Sequence, residues 1–151
     1  MREKADFELD KLIGGIIEKV DYSEWETPFV IMPKSDRSVR LCADFKVTVN
    51  NQLQDLRHPI RKKKDIFNRS HGASYFCTLD IYKTYLHLEV DKGSAKVQAI
   101  STHRGTYLTK RLFFGIKSTL NKFHAFIDRF VQDLCGNSAH FDDLIIQGKN
   151  N

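Results

Sequence analysis

The chain has 151 residues, 41% of them hydrophobic and 11% aromatic, which suits one domain or a compact piece of a larger protein. Lys and Arg outnumber Asp and Glu by 24 to 19, and this net charge of +5 admits a polyanionic partner. Cys42, Cys77 and Cys135 are widely spaced with no CxxC pair, which argues against a zinc site or a disulfide framework and predicts small buried thiols in a reducing compartment.

No stretch approaches the length of a membrane span, and the polar start "MREKADFELD" is not a signal peptide. Phe7, Leu9, Leu12 and Ile13 predict a short amphipathic helix that Gly14-Gly15 ends. "TPFVIMPK" (27–34) and "VRLCADF" (39–45) predict two strands joined by a turn at "SDRS", a hairpin projecting Lys34 and Arg40. "RHPIRKKKDIFNR" (57–69) is basic, and its later part predicts a short helix with Ile66 and Phe67 inward. "SYFCTLD" (74–80) predicts a buried strand ending in Asp80. "LHLEV" (86–90) predicts another, with Leu86, Leu88 and Val90 inward, and "KVQAI" and "TYLTKRL" predict two more around Gly105. From Ser118 the period changes: Leu120, Phe123, Ile127, Phe130, Val131 and Leu134 predict a helix, capped by Ser118 or Thr119 and ended by Gly136. "SAHFDDLIIQG" (138–148) predicts a hairpin turning at Asp142-Asp143. The mixture is α+β, with strands in hairpins packed on a few helices.

Two adjacent carboxylates between apolar flanks have two readings. Asp favours turns because its side chain bonds nearby backbone. Alternatively, a divalent cation cancels their repulsion, since Mg²⁺ takes one or two carboxylates plus substrate phosphates. Asp80, at a strand end, is the candidate third carboxylate. If the three meet at one sheet edge, two Mg²⁺ ions about 3.5–4 Å apart would clamp an in-line phosphoryl displacement. Lys34 and Arg40 read either as a solvated hairpin face or as a triphosphate grip. Arg57, Arg61, Lys62, Lys63 and Lys64 read either as an exposed charged stretch or as a track for a nucleic-acid backbone.

In order, the chain carries "PFVIMPKSDRSVRLCADFKVTVN", "RHPI", "YFCTLDIYKTYLHLEVD", "STHRGTYLTKRLFFGIKS" and "HFDDLIIQG". This series resembles the reverse transcriptase of gypsy-type long-terminal-repeat retrotransposons and retroviral Pol polyproteins, from about Leu12 to Gly148. The resemblance implies a right-hand polymerase represented by fingers and palm, with an antiparallel palm sheet packed on helices. It implies an N-terminal helix and lead-in over 1–26, fingers over 27–73 and palm over 74–151, with finger-like elements around 92–115. A thumb, a ribonuclease H domain and an integrase, which follow in the family, are expected to be absent. It implies an RNA-directed DNA polymerase, a nucleotidyltransferase acting on deoxynucleoside triphosphates and an RNA or DNA template-primer.

Residue by residue, Asp80, Asp142 and Asp143 match the family's catalytic, metal-binding aspartates, for Mg²⁺ with Mn²⁺ as substitute. Tyr85, five residues after Asp80, matches the aromatic that stacks under the incoming sugar and excludes a 2′-hydroxyl. Lys34 and Arg40 match the triphosphate-holding finger residues, and Phe114 and Gly115 match the block lining the nucleotide site. His140 stands where the family has the Tyr of YxDD, which helps position template-primer. The resemblance also implies an intracellular protein without membrane association, in a cytoplasmic virus-like particle or the nucleus.

Several positions depart from the family pattern. "LPFG" has Phe113 for proline, the next block has Leu120 for proline and His124 for glutamine, and the finger turn has Arg37 for glycine. Lys83 and Thr84 replace the small or polar pair before Tyr85. These departures support an alternative: an inactive or co-opted retroelement relic that at most binds nucleic acid.

Overall fold

The computed structural model describes residues 1–54, 58–59, 63–134 and 136–149, without the side chains of Lys63, Phe67 and Arg69. The chain divides into two compact units that interleave in sequence. One comprises Met1–Gln54 and Tyr85–Thr119, the other Asp55–Thr84 and Leu120–Asn151.

The first unit is built on a five-stranded sheet of order β1-β6-β5-β2-β3. The strands are β1 (Ile17–Val20), β2 (Thr27–Pro33), β3 (Val39–Ala43), β5 (Ile100–Thr102) and β6 (Gly105–Thr109). Only β2 and β5 pair in parallel; the other neighbours are antiparallel. Alternation in β3 buries Val39, Leu41 and Ala43 and turns Arg40 outward. Helix α1 (Arg2–Asp10) adds Ala5 and Leu9 to a core containing Leu41, Phe45, Ile100, Tyr107 and Phe113.

Three expectations fail here. Phe7 and Ile13 are exposed, and Ala5 with Leu9 forms the buried stripe instead. Residues 86–90 do not form a strand. A 3₁₀ turn runs over Thr84–His87, and only an isolated bridge joins Glu89 to Arg111. Part of "KVQAI" is helical, because Asp91 caps α3 (Lys92–Val97) by accepting from the Ser94 amide at 2.9 Å. The strand β1 was not anticipated; it is four residues long with two central charges.

The second unit holds a three-stranded antiparallel sheet of order β4-β8-β7. Its strands are β4 (Tyr75–Asp80), β7 (Asn137–His140) and β8 (Asp143–Gly148), accompanied by α2 (Lys63–Arg69) and α4 (Thr119–Val131). Ile66 of α2 is buried as expected, while the Phe67 side chain lies outside the description. On α4, Phe123, His124, Ile127 and Val131 are buried. Phe130 and Leu134 were expected inward but are exposed; Phe130 stacks on Phe126 along an outer stripe. A helix face spans only part of the circumference, so not every apolar residue can share it.

Strand β4 overturns the expectation of burial, since all six of its residues are exposed. It is an edge strand, paired among the described strands with β8 alone. Cys77 is consequently exposed, whereas Cys42 is half-buried; both are free thiols, and Cys135 lies outside the described residues. Burial pushes the Cys42 thiol up, against a smaller opposing effect of Arg40.

Candidate functional site

The β4–β8 ladder brings the aspartates together. Asp80, the last residue of β4, lies directly opposite Asp143, the first residue of β8. The Ile81 amide donates to the Asp142 carbonyl at 2.9 Å, fixing the hairpin corner against the end of β4. On its other side Asp143 pairs with His140. Paired residues share a sheet face, so Asp80, Asp143 and His140 form one row across three strands.

The turn itself corrects the sequence reading. Asp143 is already in the strand, and the two loop residues are Phe141 and Asp142. Phe141 takes φ 55°, a left-handed conformation that normally favours Gly or Asn. Its ring sits 4.6 Å from that of His140 and 5.9 Å from that of His124.

Carboxylate oxygens are hard donors suited to Mg²⁺. Among the described residues, however, no three acidic, His or Cys side chains are gathered into a ready ligand cluster. The facing pair, with Asp142 beside it, supplies the one or two carboxylates that such a cation takes alongside phosphate oxygens. The donor set therefore fits.

Lys34, Arg40, Tyr85, Phe114 and Gly115 belong to the first unit. Met32 pairs with Arg40, and Lys34 closes the hairpin through its amide to the Ser38 carbonyl at 2.9 Å. Alternation thus puts Lys34 and Arg40 on the outer face with Val30, Met32 and half-buried Cys42. Tyr85 lies half-buried in the 3₁₀ turn, not at a strand end. Phe114 stacks on buried Phe113 at 5.3 Å. Gly115 has φ 93°, and a Cβ there would meet the Ala43 carbonyl oxygen at 3.3 Å. Of the basic run, Arg57, Arg61 and Lys62 lie outside the described residues; Lys63 starts α2, and Lys64 is exposed on it.

No family model matches the chain. An uncharacterised protein of Caenorhabditis elegans is 34% identical over 151 residues, covering 98% of this chain and 12% of that protein. The retrovirus-related Pol polyprotein from transposon 412 of Drosophila melanogaster is 29% identical over 154 residues, covering 97% and 12%. In sequence the chain is therefore similar to part of a retrovirus-related Pol polyprotein. The fold agrees. The foamy viral protease–reverse transcriptase superposes with TM-score 0.86 in its complex with double-stranded DNA, at 20% identity over 99% of this chain and 26% of that one. In its complex with an RNA/DNA hybrid the values are 0.84, 20%, 99% and 20%. The chain spans about an eighth of the length of the curated relatives named here.

Several residues that hold these candidate positions in place escaped the sequence reading. The Asn50 amide donates to the Gly115 carbonyl and accepts from the Lys117 amide, each at 2.8 Å, so one side chain fixes both ends of the Gly115 turn. Buried Gln98 accepts from the Phe113 amide at 3.1 Å, and the Thr119 hydroxyl donates to the Phe113 carbonyl at 2.7 Å. These contacts join residues up to 67 apart in sequence, and no local pattern announces them. In the second unit, His58 pairs with Asp128 at 3.0 Å. His124 is buried with no hydrogen-bond partner at Nε2, and burial holds its pKa below the ordinary value. Asp128 and Asp142 oppose that shift, while His58 and His140 reinforce it.

Proposed function

We propose that this chain is the fingers-and-palm part of an RNA-directed DNA polymerase. The observation that carries the reading is the direct opposition of Asp80 and Asp143 across two strands, with Asp142 at the adjoining turn. The reaction joins the primer 3′-oxygen to the α-phosphorus of a deoxynucleoside triphosphate, and pyrophosphate leaves. Asp80, Asp142 and Asp143 would hold Mg²⁺, which when bound neutralises developing charge on the attacking and leaving oxygens.

The chain's own residues bind and orient. Lys34 brings a compact charge and Arg40 a planar fork to the triphosphate. Tyr85 offers a flat ring for the sugar, and the turn at Phe114-Gly115 is pinned by Asn50 so that its backbone can approach the nucleotide. Lys63 and Lys64, with Arg57, Arg61 and Lys62, supply positive charge to a template-primer backbone, and His140 contacts it from the palm hairpin. The test is primer extension on an RNA template with Mg²⁺, by this chain joined to a thumb segment. Incorporation that Asp143→Asn abolishes supports the proposal; no incorporation by the unaltered chain rejects it.

A second reading is a relic that binds nucleic acid without catalysis. It is favoured by His140, whose Nδ1 is buried without a hydrogen-bond partner where the family has a tyrosine. Salt-dependent RNA binding that Asp143→Asn leaves unchanged, with no incorporation, would support it.

A further inference from the structure

Helix α1 reaches the tips of two hairpins through three polar contacts. Lys4 Nζ donates to the Arg37 carbonyl at 2.6 Å, in the β2–β3 turn. Asp6 meets His103 Nε2 at 2.6 Å, and Asp10 meets Arg104 Nη1 at 2.5 Å, both in the β5–β6 turn. At 3.6 residues per turn, Lys4 lies on one flank of the buried Ala5–Leu9 stripe and Asp6 with Asp10 on the other. The helix is therefore seated by its apolar stripe and reaches a different turn from each side.

The β2–β3 turn has reason to need holding. Arg37 takes φ 63°, a left-handed conformation uncommon for a residue with a Cβ. Its carbonyl is the group that Lys4 engages. Lys34 and Arg40 flank the same turn. Its internal bonds, from the Arg37 amide to the Lys34 carbonyl and from the Lys34 amide to the Ser38 carbonyl, tie the turn's pose to Lys34, and the strand register sets Arg40 opposite Met32, two residues before Lys34.

We infer that α1 is a clamp on the two hairpin tips, and that Lys4, Asp6 and Asp10 are positioning residues that set the pose of Lys34 and Arg40 for a triphosphate. This rests on the reading of Lys34 and Arg40 as the triphosphate grip. Each contact is solvent-exposed, and an isolated exposed pair contributes little to stability. Their effect is on where the tips sit, with the fold secured by Ala5 and Leu9.

The test uses the whole 151-residue chain in three measurements, one of them Tm. Hydrogen exchange is followed in peptides covering residues 34–38 and 102–105, and Mg·dTTP binding is titrated directly. The variants are Lys4→Met, Asp6→Asn with Asp10→Asn, Lys4→Arg as rescue, and Lys11→Met as control, since Lys11 follows the helix and contacts Glu8 and the Phe7 ring, neither of them in a hairpin tip. Lys4→Met should speed exchange at 34–38 about fivefold, and the double variant should do so at 102–105. Both should weaken Mg·dTTP binding with unchanged Tm, while Lys4→Arg and Lys11→Met behave as the unaltered chain. Exchange unchanged in Lys4→Met and in the double variant overturns the clamp. Failure of the unaltered chain to bind Mg·dTTP, with exchange responding as expected, overturns the triphosphate reading and leaves a clamp of another purpose.

Discussion

Asp80 and Asp143 face each other across adjacent antiparallel strands, where like charges repel. A fold gains no stability from this placement, so the pair should cost stability until a cation arrives. In EDTA, Asp143→Asn is expected to raise stability by roughly 0.5 kcal/mol, the scale of a cross-strand charge pair. Added Mg²⁺ should then raise the Tm of the unaltered chain above that in EDTA and leave the variant where it was. Equal Mg²⁺ responses in the two proteins would remove the aspartates from the metal site.

His124 gives the second unit a pH dependence of definite sign. Its folded pKa lies below the ordinary value of 6.5, so the unfolded chain binds the proton more readily. Its contribution is present above about pH 6.5 and is lost as pH falls through the folded pKa. His124→Gln keeps a neutral polar side chain and should flatten the Tm-against-pH curve on the acid side relative to the unaltered chain. Parallel curves for the two proteins between about pH 7 and 5 would show that another group dominates.

The sequence made some of this legible and hid the rest for identifiable reasons. Alternation at 39–45 exposed the β2–β3 hairpin because one of its faces is buried, which imposes a period of two. The helical period from Phe123 to Val131 was equally clear, yet Phe130 turned outward because apolar content alone does not say which side faces the core. Residues 86–90 misled because they alternate like a strand, but Leu86 and His87 lie in a 3₁₀ turn and Glu89 makes an isolated bridge before the Asp91 cap. The metal-site candidates were raised by the adjacent carboxylates and the strand-end Asp80, and then matched to the family's blocks. Their approach depended on register between strands more than sixty residues apart, which only β4–β8 pairing supplies. Asn50 left no local signal at all, since its meaning lies in backbone groups at 115 and 117.

That amide supports a separate expectation. Asn50→Ala removes a donor and an acceptor from two backbone partners, and should cost about 1–2 kcal/mol. It should also weaken Mg·dTTP binding, because the Gly115 turn loses both of its tethers. Asn50→Asp separates the two bonds: it retains the acceptor for the Lys117 amide but sets a carboxylate against the Gly115 carbonyl. It should therefore be no better than Ala in thermal unfolding. An Asp variant as stable as the unaltered chain would mean that the Gly115 bond contributes nothing.

Arg37 carries a backbone cost that glycine would not. Left-handed geometry at a residue with a Cβ costs about 1–2 kcal/mol, partly offset in any glycine variant by a freer unfolded chain. Arg37→Gly is expected to stabilise by about 0.5–1 kcal/mol in denaturant unfolding. The Lys4 contact should persist, because it uses the carbonyl and not the side chain. Destabilisation would mean that the arginine side chain is itself holding the turn.

The exposed edge at β4 predicts how the chain behaves at high concentration. Tyr75, Phe76 and Leu79 are each about half or more exposed on a strand that pairs only with β8 among the described strands. An apolar edge strand invites strand-to-strand association, and a lysine on such an edge is a common way to prevent it. Phe76 lies opposite Gln147, so Phe76→Lys introduces no cross-strand like charge. The variant should stay monomeric in light scattering at concentrations where the unaltered chain self-associates, with its Tm changed little. If the two scatter alike, association runs through another surface, and the stacked Phe126–Phe130 stripe of α4 becomes the next site to alter.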